Sequence, residues 1–160
     1  MGQTDMLVVS AHAADYCTRA GGTIARYARA GWDVDIIALT YGARGESGSY
    51  WKDNPEGTVE ECEAVRREES SNAARHLGAE IEFYGFLDYP LSISDETIRR
   101  LTRRILDFRP EIILTHWLSD PLNVDHRITA EAVIRAVSSA AQLGAFPNTA
   151  AHYFPAVYFF

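Results

Sequence analysis

The sequence predicts an α/β fold, with a mostly parallel sheet covered by helices on both faces. Short apolar runs alternate along the chain with longer segments of helical periodicity. Most of these runs are continuous rather than alternating in polarity, which is typical of strands buried on both sides of a sheet. Because strands that alternate with helices form βαβ units, we expect neighbouring strands to be parallel.

Five strands are predicted, each bounded by turn or helix signals. They are MLVVSA (6–11), VDIIALTY (34–41), EIEFYG (80–85), EIILTH (111–116) and a fifth that opens with PAVYFF (155–160). The chain stops at Phe160 inside this last apolar run, so we expect it to be part of a longer protein.

The predicted helices lie between these strands. They cover roughly 19–30, 58–77, a segment from Ser94 to Pro110, and 129–141, with Gly31 and Gly78 ending the first two. The glycine-rich stretch 42–57 is predicted to be a long loop. With no internal repeat and no linker, the 160 residues form one domain.

Composition excludes several functional classes. The chain has 15 basic and 22 acidic residues, a net charge of −7 and a pI near 5.2, which argues against binding nucleic acid or a membrane surface through bulk charge. Cys17 and Cys62 have no metal-site spacing, so a reducing cytoplasm is the expected location. We predict neither a signal peptide nor a transmembrane helix.

Three polar stretches follow predicted strands: HAAD (12–15), GARGES (42–47) and HWLSDPLNVDH (116–126). Ligands in such sheets bind beyond the carboxyl ends of the strands. The candidate residues at this edge are His12, Asp15, Glu46, His116, Asp120, Asp125 and His126.

Each of these residues alone has a plainer explanation as a turn former or helix cap. Asp15 would then cap the first helix, and Asp125 or Thr129 the last. Two histidines and an aspartate from two strand ends together favour a metal site, namely His12, Asp15 and His126. Two imidazoles and one carboxylate suit Zn²⁺ with an open position for water.

The chain resembles the LmbE/PIG-L family of zinc-dependent de-N-acetylases over nearly all of its length. AHAADY (11–16) corresponds to the family motif AHPDDE, NVDH (123–126) to HPDH, and 65–79 to an arginine-bearing helix. The resemblance implies a three-layer Rossmann-like fold and one catalytic zinc bound by His12, Asp15 and His126. It also implies that residues 1–160 are a single domain lacking its C-terminal portion, where a further catalytic histidine lies.

The departures from the deacetylase motifs are informative. Ala14 replaces the aspartate that is the family's general base, and Tyr16 and Asn123 replace a glutamate and a histidine. A branch of the family, the 4-oxalomesaconate hydratases, is similar in these departures, with motifs of the AHSAD and GERGES types. The chain also shares RAGGTIA, DYPL (88–91) and LTHWLSDP with that branch.

This resemblance implies hydration of the C=C bond of a small, strongly anionic, unsaturated keto tricarboxylate. Glu46 and Asp125 are the candidate catalytic residues, Glu46 as the base and Asp125 as the group that orients a ligand histidine. The plainer alternatives are a solvated loop glutamate and a helix cap. The candidate substrate-binding residues are Arg44, Arg66, Ser47 and Asn123, although Arg66 and Arg67 could instead pair with Glu63 or Glu69 along their helix.

Three functional hypotheses remain open at this point. The chain is a zinc-dependent hydratase, a zinc-dependent de-N-acetylase with Glu46 or Asp125 as substitute base, or a non-catalytic relative that binds a metal or a small acid. Ala14 distinguishes the first from the second, and the intact ligand set weighs against the third. The expected partner is a small anionic substrate, and the family resemblance is compatible with a homo-oligomer.

Overall fold

The computed structural model describes residues 5–160. Residues 1–4 lie outside the described residues, and so does the first part of the N-terminal segment for which no signal peptide was predicted. The strands are β1 (Asp5–Ser10), β2 (Asp33–Thr40), β3 (Glu80–Phe86), β4 (Ile112–Thr115) and β5 (Ala156–Phe159). The helices are α1 (Asp15–Arg29), α2 (Gly48–Asp53), α3 (Val59–Leu77), α4 (Asp95–Phe108) and α5 (Val124–Ala140).

The five strands form one parallel sheet in the order β3-β2-β1-β4-β5. The central strand β1 pairs with β2 from Asp5↔Asp33 to Ser10↔Ala38, and with β4 from Met6↔Ile112 to Val8↔Leu114. The predicted α/β class and parallel sheet are therefore confirmed. The strand order changes direction at β1, and ligands in such sheets bind beyond the carboxyl edge at this point.

Helices cover both faces of the sheet, as predicted. Alternate residues of β1 point to opposite faces. Leu7 and Val9 pack in a core with α4 and α5, whereas Met6 and Val8 pack in a second core with α1 and α3. Burying aliphatic side chains of this size stabilises the fold by about 1.5–3 kcal/mol each.

Two helix starts and one additional helix differ from the sequence prediction. Helix α1 begins at Asp15 rather than residue 19, with Ala14 at a position where no side chain caps the helix. Helix α5 begins at Val124 rather than residue 129, because Asn123 Oδ1 accepts hydrogen bonds from the two backbone N–H groups that follow Val124. Helix α2 forms within the stretch predicted to be a loop.

Neither expected cap of α5 is correct, since Asn123 occupies that position in place of Asp125 or Thr129. The earlier starts of α1 and α5 place Asp15 and His126 in first helical turns. Between residues 5 and 160, no helix is long and apolar enough to cross a bilayer. Cys17 and Cys62 are both free thiols.

Candidate metal centre

His12, Asp15 and His126 lie together at the carboxyl edge of the sheet. His12 follows β1, Asp15 is the first residue of α1, and His126 lies in the first turn of α5. One ligand atom from each lies within 4.8 Å of the others, and all three residues are buried. The structure thus brings together the three residues that the sequence predicted as metal ligands.

The carboxylate of Asp15 is the centre of this cluster. Its Oδ2 accepts a hydrogen bond from the His12 backbone N–H at 2.9 Å, and lies 3.1 Å from His12 Nδ1 and 3.5 Å from His126 Nε2. Burial alone would raise the pKa of Asp15, but the close imidazoles of His116, His12 and His126, with His116 foremost, hold it well below its ordinary value. Asp15 is therefore a buried anion that needs cationic partners.

His126 presents one ring nitrogen to this carboxylate and the other to Asp120. Nδ1 lies 2.9 Å from Asp120 Oδ2, and this hydrogen bond lowers the pKa of Asp120 to about 2. The ionised carboxylate only accepts, so Nδ1 carries the proton and Nε2 keeps a lone pair. Nε2 is buried and has no hydrogen-bond partner among the described residues, which fits an atom that binds a metal.

His12 is placed in a similar way by a second carboxylate. Its Nε2 lies 3.4 Å from Asp125 Oδ2. Burial would lower the pKa of His12, but the hydrogen bond and charge of Asp15 outweigh burial, so that the pKa is raised. With its proton on Nε2 and shared with Asp125, His12 would offer its Nδ1 lone pair to an ion bound beside Asp15. The residues present therefore fit a divalent ion bound by two imidazoles and one carboxylate.

Asp125 is fully buried, and its carboxylate also anchors the loop that follows β3. Its Oδ2 accepts from the Tyr89 N–H at 2.9 Å, and its Oδ1 accepts from the Leu91 N–H at 2.9 Å. Asp125 thus contacts His12, and its role in orienting a ligand histidine stays a prediction.

Hydrogen bonds fix the HAAD loop in place. Thr40 Oγ1 donates to the Ala11 carbonyl at 3.0 Å, and Ser70 Oγ donates to the Ala13 carbonyl at 2.7 Å. Tyr16, at the position of the deacetylase glutamate, is fully buried and donates to the Ser70 carbonyl at 2.6 Å. Tyr16 therefore joins α1 to α3.

Glu46 lies beside the triad, on the loop that follows β2. Its Oε1 is 3.9 Å from His12 Nδ1 and accepts hydrogen bonds from Tyr89 Oη at 2.8 Å and Asn123 Nδ2 at 3.2 Å. Burial and the Glu46 carboxylate raise the pKa of Tyr89, which keeps its hydroxyl a donor. Gly42, with φ +68°, allows the chain to turn here close to His12.

The predicted substrate-binding residues occupy different surroundings. The Arg44 side chain is exposed, while its backbone N–H donates to the buried Asp88 carboxylate. Ser47 is buried, and its hydroxyl donates to the Gly42 carbonyl at 2.8 Å. Asn123 contacts Glu46 through its amide. Roles of these residues in binding substrate stay predictions.

Arg66 and its neighbour differ in their contacts. Arg66 pairs with Glu69 along α3 at 2.5 Å, and it lines a cavity of about 470 Å³ that Glu46 also lines. The guanidinium of Arg67 instead stacks 5.0 Å above the Tyr41 ring. The helix pairing that was the plainer alternative thus occurs at Arg66, which keeps a buried Nε without a hydrogen-bond partner among residues 5–160.

Sequence reasoning gave no individual role to Asp88 or Tyr89, named Asp120 only as a residue of this edge, and favoured a supporting role for His116. The His116 ring stacks on that of His126 with centroids 3.9 Å apart, and its Nε2 accepts from the Ala11 N–H. Burial lowers the pKa of His116. The signal for Asp88 and Tyr89 was their position directly beyond the third strand.

Known proteins match both the sequence and the structure. The family profile described as PIG-L, GlcNAc-PI de-N-acetylase, matches residues 7–137. A 4-oxalmesaconate hydratase of Pseudomonas putida is 43% identical over 124 residues, which are 78% of this chain and 48% of that protein. A mycothiol S-conjugate amidase of Streptomyces coelicolor is 27% identical, over 92% of this chain and 56% of that protein.

Among solved structures, GalB of Pseudomonas putida KT2440, described as the 4-carboxy-2-hydroxymuconate hydratase, has a TM-score of 0.95 and 38% identity. The match covers 98% of this chain and 65% of GalB. An N,N'-diacetylchitobiose deacetylase of Pyrococcus horikoshii has a TM-score of 0.84 at 22% identity, over 98% of this chain and 60% of that chain, and so shares the fold. The chain spans about half the length of the curated hydratase, and by its profile match it belongs to the PIG-L family.

Proposed function

We propose that the protein containing this chain is a zinc-dependent hydratase, which adds water to the C=C bond of a small unsaturated keto tricarboxylate of the 4-oxalomesaconate class. The observation that carries the proposal is Ala14 beside the intact set of His12, Asp15 and His126. A methyl group accepts no proton, so the deacetylase base is missing while the metal ligands remain. Similarity to two hydratases supports this reaction.

His12 Nδ1, Asp15 Oδ2 and His126 Nε2 are the atoms that would hold the ion. Bound there, Zn²⁺ supplies Lewis acidity, which polarises a substrate oxygen or lowers the pKa of water. Asp120 and Asp125 keep the two imidazole rings oriented.

Glu46 is the proposed base. Its Oε1 is held by two donors, whereas its Oε2 accepts no hydrogen bond within residues 5–160. In the proposed step, Oε2 takes a proton from water as the water oxygen bonds to the alkene carbon. The electron pair of the alkene moves onto the conjugated carbonyl. The enolate then takes up a proton at carbon from solvent while Glu46 releases its proton to solvent, so that the net change is the addition of one water molecule.

The charge of the substrate explains why the site needs arginines. A tricarboxylate requires fixed positive charge, and guanidinium groups pair well with carboxylates. Arg66 is the better placed candidate, because its buried Nε lacks a partner in the described part of the chain and its cavity adjoins Glu46. Arg44 is exposed on the same loop as Glu46.

Deacetylation is the second candidate, because the family profile and relatives such as the mycothiol S-conjugate amidase favour amide chemistry. The test compares two assays on the zinc-loaded full-length protein. One follows the absorbance of 4-oxalomesaconate, and the other follows acetate release from an N-acetylated amino sugar. We expect loss of the unsaturated acid without release of acetate. We also expect the hydration to stop when a chelator removes the metal. Acetate release without hydration would contradict the hydratase assignment.

A further inference from the structure

Tyr89 connects three parts of the site through three different groups. Its ring stacks on the His12 imidazole, with centroids 5.5 Å apart and ring planes at 8°. Its hydroxyl donates to Glu46 Oε1 at 2.8 Å, and its backbone N–H donates to Asp125 Oδ2 at 2.9 Å. The residue that contacts the proposed base therefore also contacts a proposed metal ligand and the carboxylate that orients it.

A second donor fixes the direction of the hydrogen bond to Glu46. Asn123 Nδ2 lies 2.7 Å from Tyr89 Oη and 3.2 Å from Glu46 Oε1. An amide nitrogen only donates, so the Tyr89 hydroxyl accepts from Asn123 and gives its own proton to Glu46. Tyr89 Oη and Asn123 Nδ2 thus both donate to Oε1 of Glu46, whereas Oε2 accepts no hydrogen bond within residues 5–160.

The surrounding backbone holds Tyr89 in an uncommon conformation. Its φ of 45° lies in the left-handed region that aromatic residues rarely adopt. The loop that carries Glu46 packs on its ring at Gly45, where any Cβ would collide with the ring atoms. Asp88 accepts from the Gly45 N–H at 2.7 Å, which ties this loop to the segment of Tyr89. Such conformations persist where many contacts determine them, often at functional sites.

We propose that Tyr89 is a positioning residue, which holds Oε1 of Glu46 so that Oε2 faces the reacting water. The inference rests on the proposed function. The Glu46 side chain is 35% exposed and lies on a loop, so without these donors it has several rotamers available. Tyr89 and Asn123 select one rotamer, beside His12.

The test is Tyr89→Phe in the zinc-loaded full-length protein. This change keeps the ring on His12 and removes the hydroxyl that donates to Glu46 and accepts from Asn123. We expect kcat to fall by about 10- to 100-fold, since small displacements of a reacting group have effects of this size. KM should stay within about twofold and zinc content unchanged, because no substrate or metal contact is lost. The matched control is Tyr27→Phe, at the far end of α1 from Asp15, with wild-type kinetics expected.

A double variant separates positioning through Glu46 from a general structural role. In the Glu46→Gln background, Tyr89→Phe should cause no further loss, because residues that act as one unit are not additive. Losses that multiply would overturn the inference. So would a crystal structure of Tyr89→Phe in which the Glu46 carboxylate has not moved. Absence of hydration by the wild-type protein would instead refute the proposed function, and the position of Glu46 in that crystal structure would still decide the role of Tyr89.

Discussion

Asp120 accepts a hydrogen bond from Nδ1 of His126 at 2.9 Å, across the loop that joins β4 to α5. The other carboxylate oxygen of Asp120 accepts from the Leu122 and Asn123 N–H groups at 2.9 and 3.1 Å. One side chain thus shapes the loop and fixes which nitrogen of His126 faces Asp15. The metal affinity of the site should therefore depend on Asp120 although Asp120 is not among the predicted ligands.

We predict that Asp120→Asn weakens zinc binding by about 10- to 100-fold, the usual effect of removing a carboxylate behind a ligand histidine. The amide loses the charge that keeps the proton on His126 Nδ1. Competition with a chelator of known affinity measures the change. Asp107→Asn, an exposed aspartate in the last turn of α4, is the control and should bind zinc as the wild type does. Equal affinities for both variants would contradict the role of Asp120.

Glu46→Gln should lower turnover by about 10²- to 10⁴-fold with zinc content intact, because the amide keeps the shape of the side chain but takes no proton. Steady-state kinetics and metal analysis of the same sample measure both quantities. Glu56→Gln changes an exposed glutamate in the same inter-strand segment and should have wild-type rates. Near-normal turnover of Glu46→Gln would remove Glu46 from the mechanism.

Gly45→Ala should disturb the site through Tyr89. The added Cβ would collide with the Tyr89 ring, which itself lies on His12. We expect destabilisation by about 1–3 kcal/mol, as for other overpacked positions, together with reduced kcat. Denaturant unfolding and kinetics measure the two effects. At Gly48 the added methyl meets no atom within 4 Å, so Gly48→Ala is the matched control, and equal behaviour of the two variants would refute the argument.

Tyr16→Phe should affect stability more than turnover. The variant loses the hydrogen bond to the buried Ser70 carbonyl, at a cost of about 1–3 kcal/mol in the free energy of unfolding. Because the hydroxyl points to α3, the rate per folded, zinc-loaded molecule should stay within about twofold. A large fall in kcat without loss of stability would instead assign Tyr16 to the chemistry.

The sheet could be predicted because its signal is local and strong. Strands β1 and β2 each contain four consecutive apolar residues (6–9 and 36–39), and glycine ends α3 with φ +79° at Gly78. The starts of α1 and α5 were harder to predict. Ala14 is a poor cap, so nothing in the sequence marks the start of α1, and Asn123 lies within a loop-like stretch of turn-forming residues.

The cluster of His12, Asp15 and His126 could be predicted because residues that follow the carboxyl ends of parallel strands meet at one edge of the sheet. The role of Tyr89 could not be predicted, since it depends on how the segment after β3 folds back over the loop after β2. The contact of Ser47 could not be predicted for a similar reason, because only the path of its loop shows that the hydroxyl donates to the Gly42 carbonyl. Side-chain partners across loops are set by tertiary structure, not by local sequence.

The order in which the ribosome makes the chain determines when the predicted metal ligands become available. His12 leaves the ribosome well before His126, because three strands and four helices lie between them in the chain. At about 5–20 residues per second, the nascent chain carries two of the three predicted ligands, His12 and Asp15, for on the order of ten seconds before the third emerges. A metal can therefore occupy the predicted site only late in the synthesis of the protein, and translation that stalls before α5 would give a product that lacks the predicted ligand His126.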